Sequence, residues 1–451
     1  MFLTTVTTSV VSVSAQAPSE AYVKKETPKV YRARGLDILE KIRQILELKY
    51  FDRSFRGLDI AAKFKSAEER IKTLDRKADV HRTIADVLVG LNDSHTIFYP
   101  PDLLYRVEYG FSMMTIGNAC FVVDVKKESD ADAKGLRAGD EVLSFVRQIP
   151  SRENLDLINY IIYSLEPQED ITMKVRSIDL KEREVSFKST FISPETRKKE
   201  RKKRRDDLRT KPFTCVPIGS EIIACRLRTF EVEKVVIDKM MKEASTRQKL
   251  ILDLRGNPGG YVETATHLTG WFFNHDVKIG TEKGRNKSNE RVAKGRAKDA
   301  YSGEVILLID SESASASEVF ARVLQIEKRA RVMGDMSKGA VMTSERYAIA
   351  TNSRLPTINE VNVPYYLSYL SLSVADLIMS DGARIEGYGV MPDLSVGPTR
   401  QAIRDRSDPV LAYAAELFGT KLTEDAAGKF YFLLPKTEEL TDKTDDEATA
   451  N

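Results

Sequence analysis

The 451-residue chain has only three cysteines, four histidines and a single tryptophan. Cys120, Cys215 and Cys225, with His81, His95, His267 and His275, are too few and too scattered for a structural zinc site. The cysteines allow one disulfide at most, and nothing in the sequence requires it. No uninterrupted apolar run approaches the roughly 20 residues that span a bilayer. Charge of one sign is missing as well: 70 basic against 67 acidic residues leave a net +3, so no global field draws in nucleic acid. A hydrophobic fraction of 42% with 30% charged residues excludes a disordered chain, a collagen-like fibre and a coiled coil. The length suits about three domains.

What is present begins with residues 1–17. Phe2 to Ala17 is mildly apolar and closes on Ala15-Gln16-Ala17, the small-x-small pattern of a signal-peptide cleavage site, without a basic start. The expectation is export to a periplasmic or other extracytoplasmic space, with the true start upstream of Met1. Residues 35–100 read as a helical domain, because Ile38, Leu39, Ile42, Ile45 and Leu46, and later Ile84, Val87, Leu88 and Leu91, fall at three- and four-residue spacings. Pro100-Pro101 marks its end.

Residues 104–192 alternate as short strands, with helical spacing over Leu155 to Leu165. Residues 193–212 hold RKKERKKRRDDLRTK, ten basic and three acidic residues over Arg197 to Lys211. Such a run reads as a solvated linker or helix face, and a sharper reading makes it an RNA- or membrane-contacting patch. From 213 to 400 strand–turn–helix units repeat, which predicts an α/β core. A C-terminal segment, 401–435, and a polar tail, 436–451, complete the chain.

Three segments of the core could carry chemistry. Asp253-Leu254-Arg255-Gly256-Asn257-Pro258-Gly259-Gly260 ends a strand and opens a helix, so its glycines can leave backbone N–H groups free for an oxyanion. Asp310-Ser311-Glu312-Ser313-Ala314-Ser315-Ala316-Ser317-Glu318 also joins a strand to a helix. A serine at such an elbow exposes its hydroxyl, although serines are equally favoured as helix caps. In Gly334-Asp335-Met336-Ser337-Lys338-Gly339, a lysine beside glycine on an apolar stretch could be desolvated to a neutral amine and act as a base; an exposed turn lysine is the bland alternative.

In this order the three segments resemble the C-terminal processing (tail-specific) proteases, and the resemblance covers most of the chain. LNDSHT followed by YPP is similar to the end of that family's helical unit. AKGLRAGDEVL looks like the core of a PDZ domain, with Tyr109-Gly110-Phe111-Ser112 where such domains hold their carboxylate-binding loop. Ile385 to Asp393 matches the closing EGxGVxPD element. The resemblance implies a multidomain α+β protein: an N-terminal helical bundle, a PDZ-like β-unit and an α/β protease core of the ClpP/crotonase type. It puts the nucleophile at Ser315 and the oxyanion hole at Ala316 and a glycine of the turn, Gly259.

Two bases stay open. Lys338 matches the family lysine, but Met342 stands where a glutamine is expected, and the Gly334–Lys338 segment is about two residues short. Tricorn-type relatives use a histidine oriented through a serine and a distant glutamate, which Ser94, His95 and Glu386 match; His95 is placed narrowly ahead. The PDZ resemblance implies that Tyr109, Gly110, Phe111 and Ser112 bind a peptide C-terminus, with Met113 and Met114 beside Phe111 in an apolar pocket or in the unit's own core. The expected function is a serine endopeptidase acting on protein or peptide substrates through a Ser315 acyl-enzyme, with no metal, no organic cofactor and no nucleic-acid partner. The alternative is a catalytically silent PDZ/protease-like peptide-binding scaffold.

Overall fold

A computed structural model describes residues 27–101, 106–351 and 367–430. The expected signal segment, 1–17, and the polar tail, 436–451, lie outside the described residues.

Helices α1 (Pro28–Lys49), α2 (Ile60–Ile71) and α3 (Lys77–Val89) pack on one another. Their periodic apolar positions meet in one cluster: Ile38, Ile42 and Leu46 of α1 with Phe64 and Ile71 of α2 and Ile84 and Leu88 of α3. Each such residue, fully buried, contributes about 1.5–3 kcal/mol. The loop after α3 leads into β1 (Ile97–Tyr99), whose side chain Phe98 closes the same cluster.

The middle of the chain forms β2 (Arg106–Glu108), β3 (Phe111–Ile116), β4 (Ala119–Val125), the short α4 (Asp130–Ala133), β5 (Glu141–Phe145), α5 (Leu155–Tyr160), β6 (Asp170–Arg176), β7 (Glu182–Lys188) and β8 (Thr190–Ile192). An antiparallel sheet runs β3-β4-β5-β6-β7, with β2 paired to β8 beside it. Alternation along β6, with Ile171, Met173 and Val175 buried, places one face on a core shared with Phe111, Phe145 and Ile158. The basic run is an exposed 17-residue helix, α6 (Pro194–Thr210), capped by Ser193, whose hydroxyl accepts from the Thr196 N–H.

The remainder is three-layered. It comprises β9 (Phe213–Ile218), β10 (Ile222–Leu227), α7 (Lys234–Ala244), β11 (Lys249–Asp253), α8 (Val262–Gly270), β12 (Val277–Gly284), β13 (Ser288–Ala293), β14 (Glu304–Ile309), α9 (Ala316–Ile326), β15 (Arg331–Gly334), β16 (Thr343–Ala350), β17 (Leu367–Met379), β18 (Leu394–Ser395), α10 (Arg400–Asp405), α11 (Pro409–Leu417) and α12 (Glu424–Phe430). The main sheet runs β18-β15-β14-β11-β10-β9, parallel except for the antiparallel edge β9. Helices α7, α8 and α9 cover one face. On the other, Ile251, Ile306 and Leu308 meet Leu411, Ala414 and Ala415 of α11 and Ala427 of α12, so the C-terminal segment completes the core.

The edge hairpin β9–β10 pairs Cys215 with Cys225 in register, and the two form a disulfide. Cys120 stays a buried free thiol, its pKa pushed up by desolvation to about 12.

Two sets of contacts tie the units together. A second sheet runs β1-β17-β12-β13, so β1 of the helical region is stitched to the core, with Phe98 opposite Leu370. The middle sheet is held by Arg152, which donates to Asp335 Oδ2 (2.7 Å) and the Met336 carbonyl (2.8 Å), and by Ser311 Oγ, which donates to the Thr115 carbonyl (2.6 Å).

Candidate active site

The core site begins where β14 ends. Asp310 Oδ1 gathers the N–H groups of Gly256 (2.9 Å), Glu312 (3.0 Å) and Ser313 (3.0 Å), folding the chain back at the end of the strand. Of the alternating serines, two are structural. Ser313 Oγ donates to the Leu254 carbonyl (2.8 Å) and Ser317 Oγ to the Asn257 carbonyl (3.0 Å), and both side chains are buried. Ser315 alone of the three lines a cavity. It sits at φ 55°, ψ −118°, a backbone region costly for a residue with a Cβ. Strain of this kind at a strand-to-helix turn pushes a hydroxyl out of the chain's own hydrogen-bonding pattern.

Glu318 holds that conformation. Its fully buried carboxylate accepts from the Ser315 N–H (2.8 Å), the Ser337 hydroxyl (2.6 Å) and the Gly339 (2.6 Å) and Ala340 (2.9 Å) N–H groups. Burial pushes its pKa up, and these four donors oppose the shift. Sequence reading gives Glu318 no role; the signal was a glutamate three residues after an N-cap serine.

The glycine turn lies against the elbow. A Cβ on Gly259 would stand 2.7 Å from the Ala314 carbonyl oxygen, 2.8 Å from Ser315 Cβ and 3.0 Å from the Ala316 nitrogen, at φ +93°. Gly259→Ala is therefore expected to lower stability by about 1–3 kcal/mol and to displace Ser315, read as a reduced thermal midpoint. The oxyanion expectation shifts by one residue. The Gly259 N–H already donates to Asn257 Oδ1 at 2.9 Å, so it is not free for a ligand. Gly260 lines the cavity, as does Ala316, and neither amide donates to another described residue.

His95 lines the same cavity as Ser315. Its loop is fixed by Asp93, whose Oδ1 accepts from the His95 N–H (3.1 Å), the Thr96 N–H (2.7 Å) and the Ser373 hydroxyl (2.6 Å), while Tyr50 donates to Oδ2 (2.8 Å). Ser94 Oγ stands 2.6 Å from His95 Nδ1 and 3.1 Å from Glu386 Oε2. A carboxylate only accepts, so the Ser94 hydroxyl spends its proton on Glu386 and accepts from Nδ1–H, which leaves Nε2 the unprotonated nitrogen. Glu386 is itself held by the N–H groups of Ser94 (2.8 Å) and Val341 (2.9 Å). Burial lowers the pKa of His95, helped by the Lys338 charge and opposed by Glu386 and Asp93.

Lys338 departs from the expectation of a neutral amine. Its Nζ donates to Asp156 Oδ1 (2.9 Å) on α5 and lies 3.9 Å from Glu312. Burial alone would lower its pKa, but Glu312 and Asp156 outweigh that and raise it, so the amine stays charged. It is not among the cavity's lining residues, whereas Met342 is.

The Tyr109–Ser112 stretch is mostly interior. Tyr109 is buried and donates its hydroxyl to the Ile162 carbonyl (3.1 Å), and Phe111 packs edge-on against Phe145 and Phe187. The Gly110 carbonyl accepts from the Lys126 N–H (2.8 Å), and Ser112 is exposed. Met113 packs beside this core, while Met114 turns the other way, toward Ile403 of α10.

A mainly parallel sheet whose inner strand feeds a strained serine, with a histidine brought in by a separate unit, places the chain among α/β proteins built around a nucleophile-type elbow. Residues 222–396 match Peptidase family S41. A probable CtpA-like serine protease of Staphylococcus haemolyticus is 28% identical over 160 residues, 35% of this chain and 29% of the relative. One from Staphylococcus saprophyticus is 33% identical over 103 residues, 22% of this chain and 21% of the relative. The chain thus spans under a third of the length of these curated relatives.

Among solved structures, mature CPAF is similar at a TM-score of 0.63 and 15% identity, over 87% of this chain and 100% of that one. The photosystem II D1 C-terminal processing protease gives 0.51 and 17%, over 90% and 100%. These likenesses describe the fold. No helix among the described residues is long and apolar enough to cross a membrane.

Proposed function

We propose that the chain is a serine endopeptidase that cleaves protein substrates through a Ser315 acyl-enzyme. One observation carries the reading: the strained Ser315 shares a cavity with His95, whose Nδ1 is tied through Ser94 to Glu386. His95 Nε2 takes the Ser315 proton as the oxygen attacks the peptide carbonyl. The oxyanion is received by the Gly260 and Ala316 N–H groups. As the carbon–nitrogen bond breaks, His95 returns the proton to the departing amine. Water then attacks the ester with His95 again as base, releasing the acid and restoring the serine. Ser94 and Glu386 hold the imidazole tautomer and stabilise the imidazolium, while Lys338 takes no proton.

The middle sheet is read as a PDZ-like unit of residues 104–192 that captures an extended peptide or free C-terminus. In support, β3 is an edge strand, which offers backbone groups for strand addition next to the Gly110 turn. With Tyr109 and Phe111 committed to the interior, that contact would be made by backbone and Ser112. The Cys215–Cys225 disulfide is in keeping with export to an oxidising compartment.

The test uses a fluorophosphonate probe and casein. The probe should label Ser315 in the folded protein, identified by peptide mass, and casein should be hydrolysed. A chain that neither takes the label nor cleaves casein would be the silent scaffold instead. Lys338→Met separates the two candidate bases. Removing a general base costs about 10²–10⁴-fold, whereas this variant should stay within about threefold of wild type. The Lys338 charge lowers the His95 pKa, so its loss should raise that pKa and move the acid limb of kcat/KM to higher pH. Abolished hydrolysis would return the base role to the lysine.

A further inference from the structure

The cavity beside Ser315, about 180 Å³, combines a wall of buried apolar side chains with the hydroxyls of Thr266, Thr269, Thr343 and Ser344 in its lining. Ala265 of α8, Ile279 of β12, Val319 of α9, Met342 and Leu377 of β17 all line it, and each is less than a tenth exposed. Met342 supplies part of the apolar wall. The one charged side chain in the lining is Arg291. Its guanidinium donates to Glu282 Oε2 at 2.7 Å, and Glu282 Oε1 in turn accepts from the hydroxyl of Thr343, another lining residue, at 2.5 Å. Glu282 is only 12% exposed, so the pair presents the cavity with a neutralised cation.

We infer that this cavity receives the side chain of the residue whose carbonyl Ser315 attacks, and that it selects an uncharged aliphatic side chain such as leucine, methionine or valine. The inference rests on the peptidase reading above and deepens it. The carbonyl held by Gly260 and Ala316 belongs to the residue before the scissile bond, and both amides border this cavity, so that residue's own side chain is the group next to it. Apolar walls reward an aliphatic group and strip water from a charged one without replacing it. A lysine would face Arg291. A glutamate would reach Arg291 only by displacing Glu282, leaving a nearly buried carboxylate unpaired.

Quenched-fluorescent peptides differing only at this position test the assignment. Wild type should favour leucine over glutamate and lysine in kcat/KM by on the order of 100-fold or more. Glu282→Gln keeps the side chain's shape but leaves the Arg291 charge uncompensated, and should improve glutamate relative to leucine by about tenfold. Ala265→Leu fills the cavity and should reverse a leucine-over-alanine preference by about 10-fold or more. Thermal midpoints close to wild type would mark both variants as folded, and if Glu282→Gln fails to fold, Ala265→Leu decides alone. A cleaving protein with a flat profile, or one whose preferences ignore both substitutions, overturns this pocket assignment and leaves the peptidase reading standing. A wild-type chain that cleaves none of the peptides and takes no fluorophosphonate label overturns the peptidase reading, and the inference falls with it.

Discussion

Ser315→Ala is expected to lower kcat/KM on an unfolded protein substrate by about 10⁴-fold or more, and His95→Ala should do comparable damage. Both side chains line one cavity, and in a proton relay neither has a use without the other. The double variant should therefore be no slower than the worse single, which is the behaviour of residues acting as a unit. Neither change should disturb the fold: Glu318 holds the Ser315 backbone through its N–H, and the loop is anchored through Asp93 rather than the imidazole. Steady-state hydrolysis of a quenched peptide, with circular dichroism on the same samples, reads both points. Wild-type rates from Ser315→Ala would remove the assignment. Burial holds the His95 pKa below its ordinary range, so the neutral base persists to lower pH, and the acid limb of the wild-type profile should fall below about 6.5.

The second large effect is on stability. Arg255 is 3% exposed and bonds two carboxylates on both oxygens: Asp253 at 3.0 and 2.8 Å and Asp408 at 2.9 and 2.6 Å, themselves 0% and 2% exposed. Replacing the pair partners together can be neutral, but removing the cation alone strands both anions in the interior. Arg255→Met should cost about 3–5 kcal/mol in chemical denaturation at neutral pH. The pH dependence carries a sign. Burial by itself would raise the Asp253 pKa, but Arg255 and Arg226 outweigh it and hold it below the ordinary range. In the wild type that stabilisation is complete above the unfolded value, about 3.9, and is lost as pH falls through the folded one. In Arg255→Met burial would dominate instead, so the variant should regain stability on acidification toward pH 4–5 while the wild type does not. A variant as stable as wild type at pH 7 would contradict this account. Function should follow, because the trio anchors the end of β11, where the glycine turn begins.

The sequence made the local parts of this site readable and hid the long-range ones. A strand running into Asp253–Gly260, and another into Asp310–Glu318, are contiguous patterns, and both segments stand at strand ends of the main sheet. Which serine faces the cavity depended on Ser313 and Ser317 finding carbonyls at Leu254 and Asn257, roughly 60 residues away, which no spacing rule contains. The Gly259 N–H was taken by a side chain two residues before it, a choice that rests on the turn's geometry. Lys338 looked desolvated because its partner Asp156 lies 182 residues upstream. Asp408 gave no sign of reaching Arg255, and the segment carrying it read as an appendage rather than as part of the core. The disulfide was within reach: Cys215 and Cys225 are each five residues from Ser220, as directly opposed residues of a hairpin turning there must be.

The stitching of β1 to β17 governs when the two sides of the Ser315 cavity meet. His95 travels with the helical unit made early in synthesis, whereas the strand that β1 pairs with emerges some 270 residues later. A nascent or half-folded chain therefore carries the Ser315 hydroxyl and the His95 imidazole on surfaces that have not yet met. The cavity that both line is complete only once β1 has paired with β17.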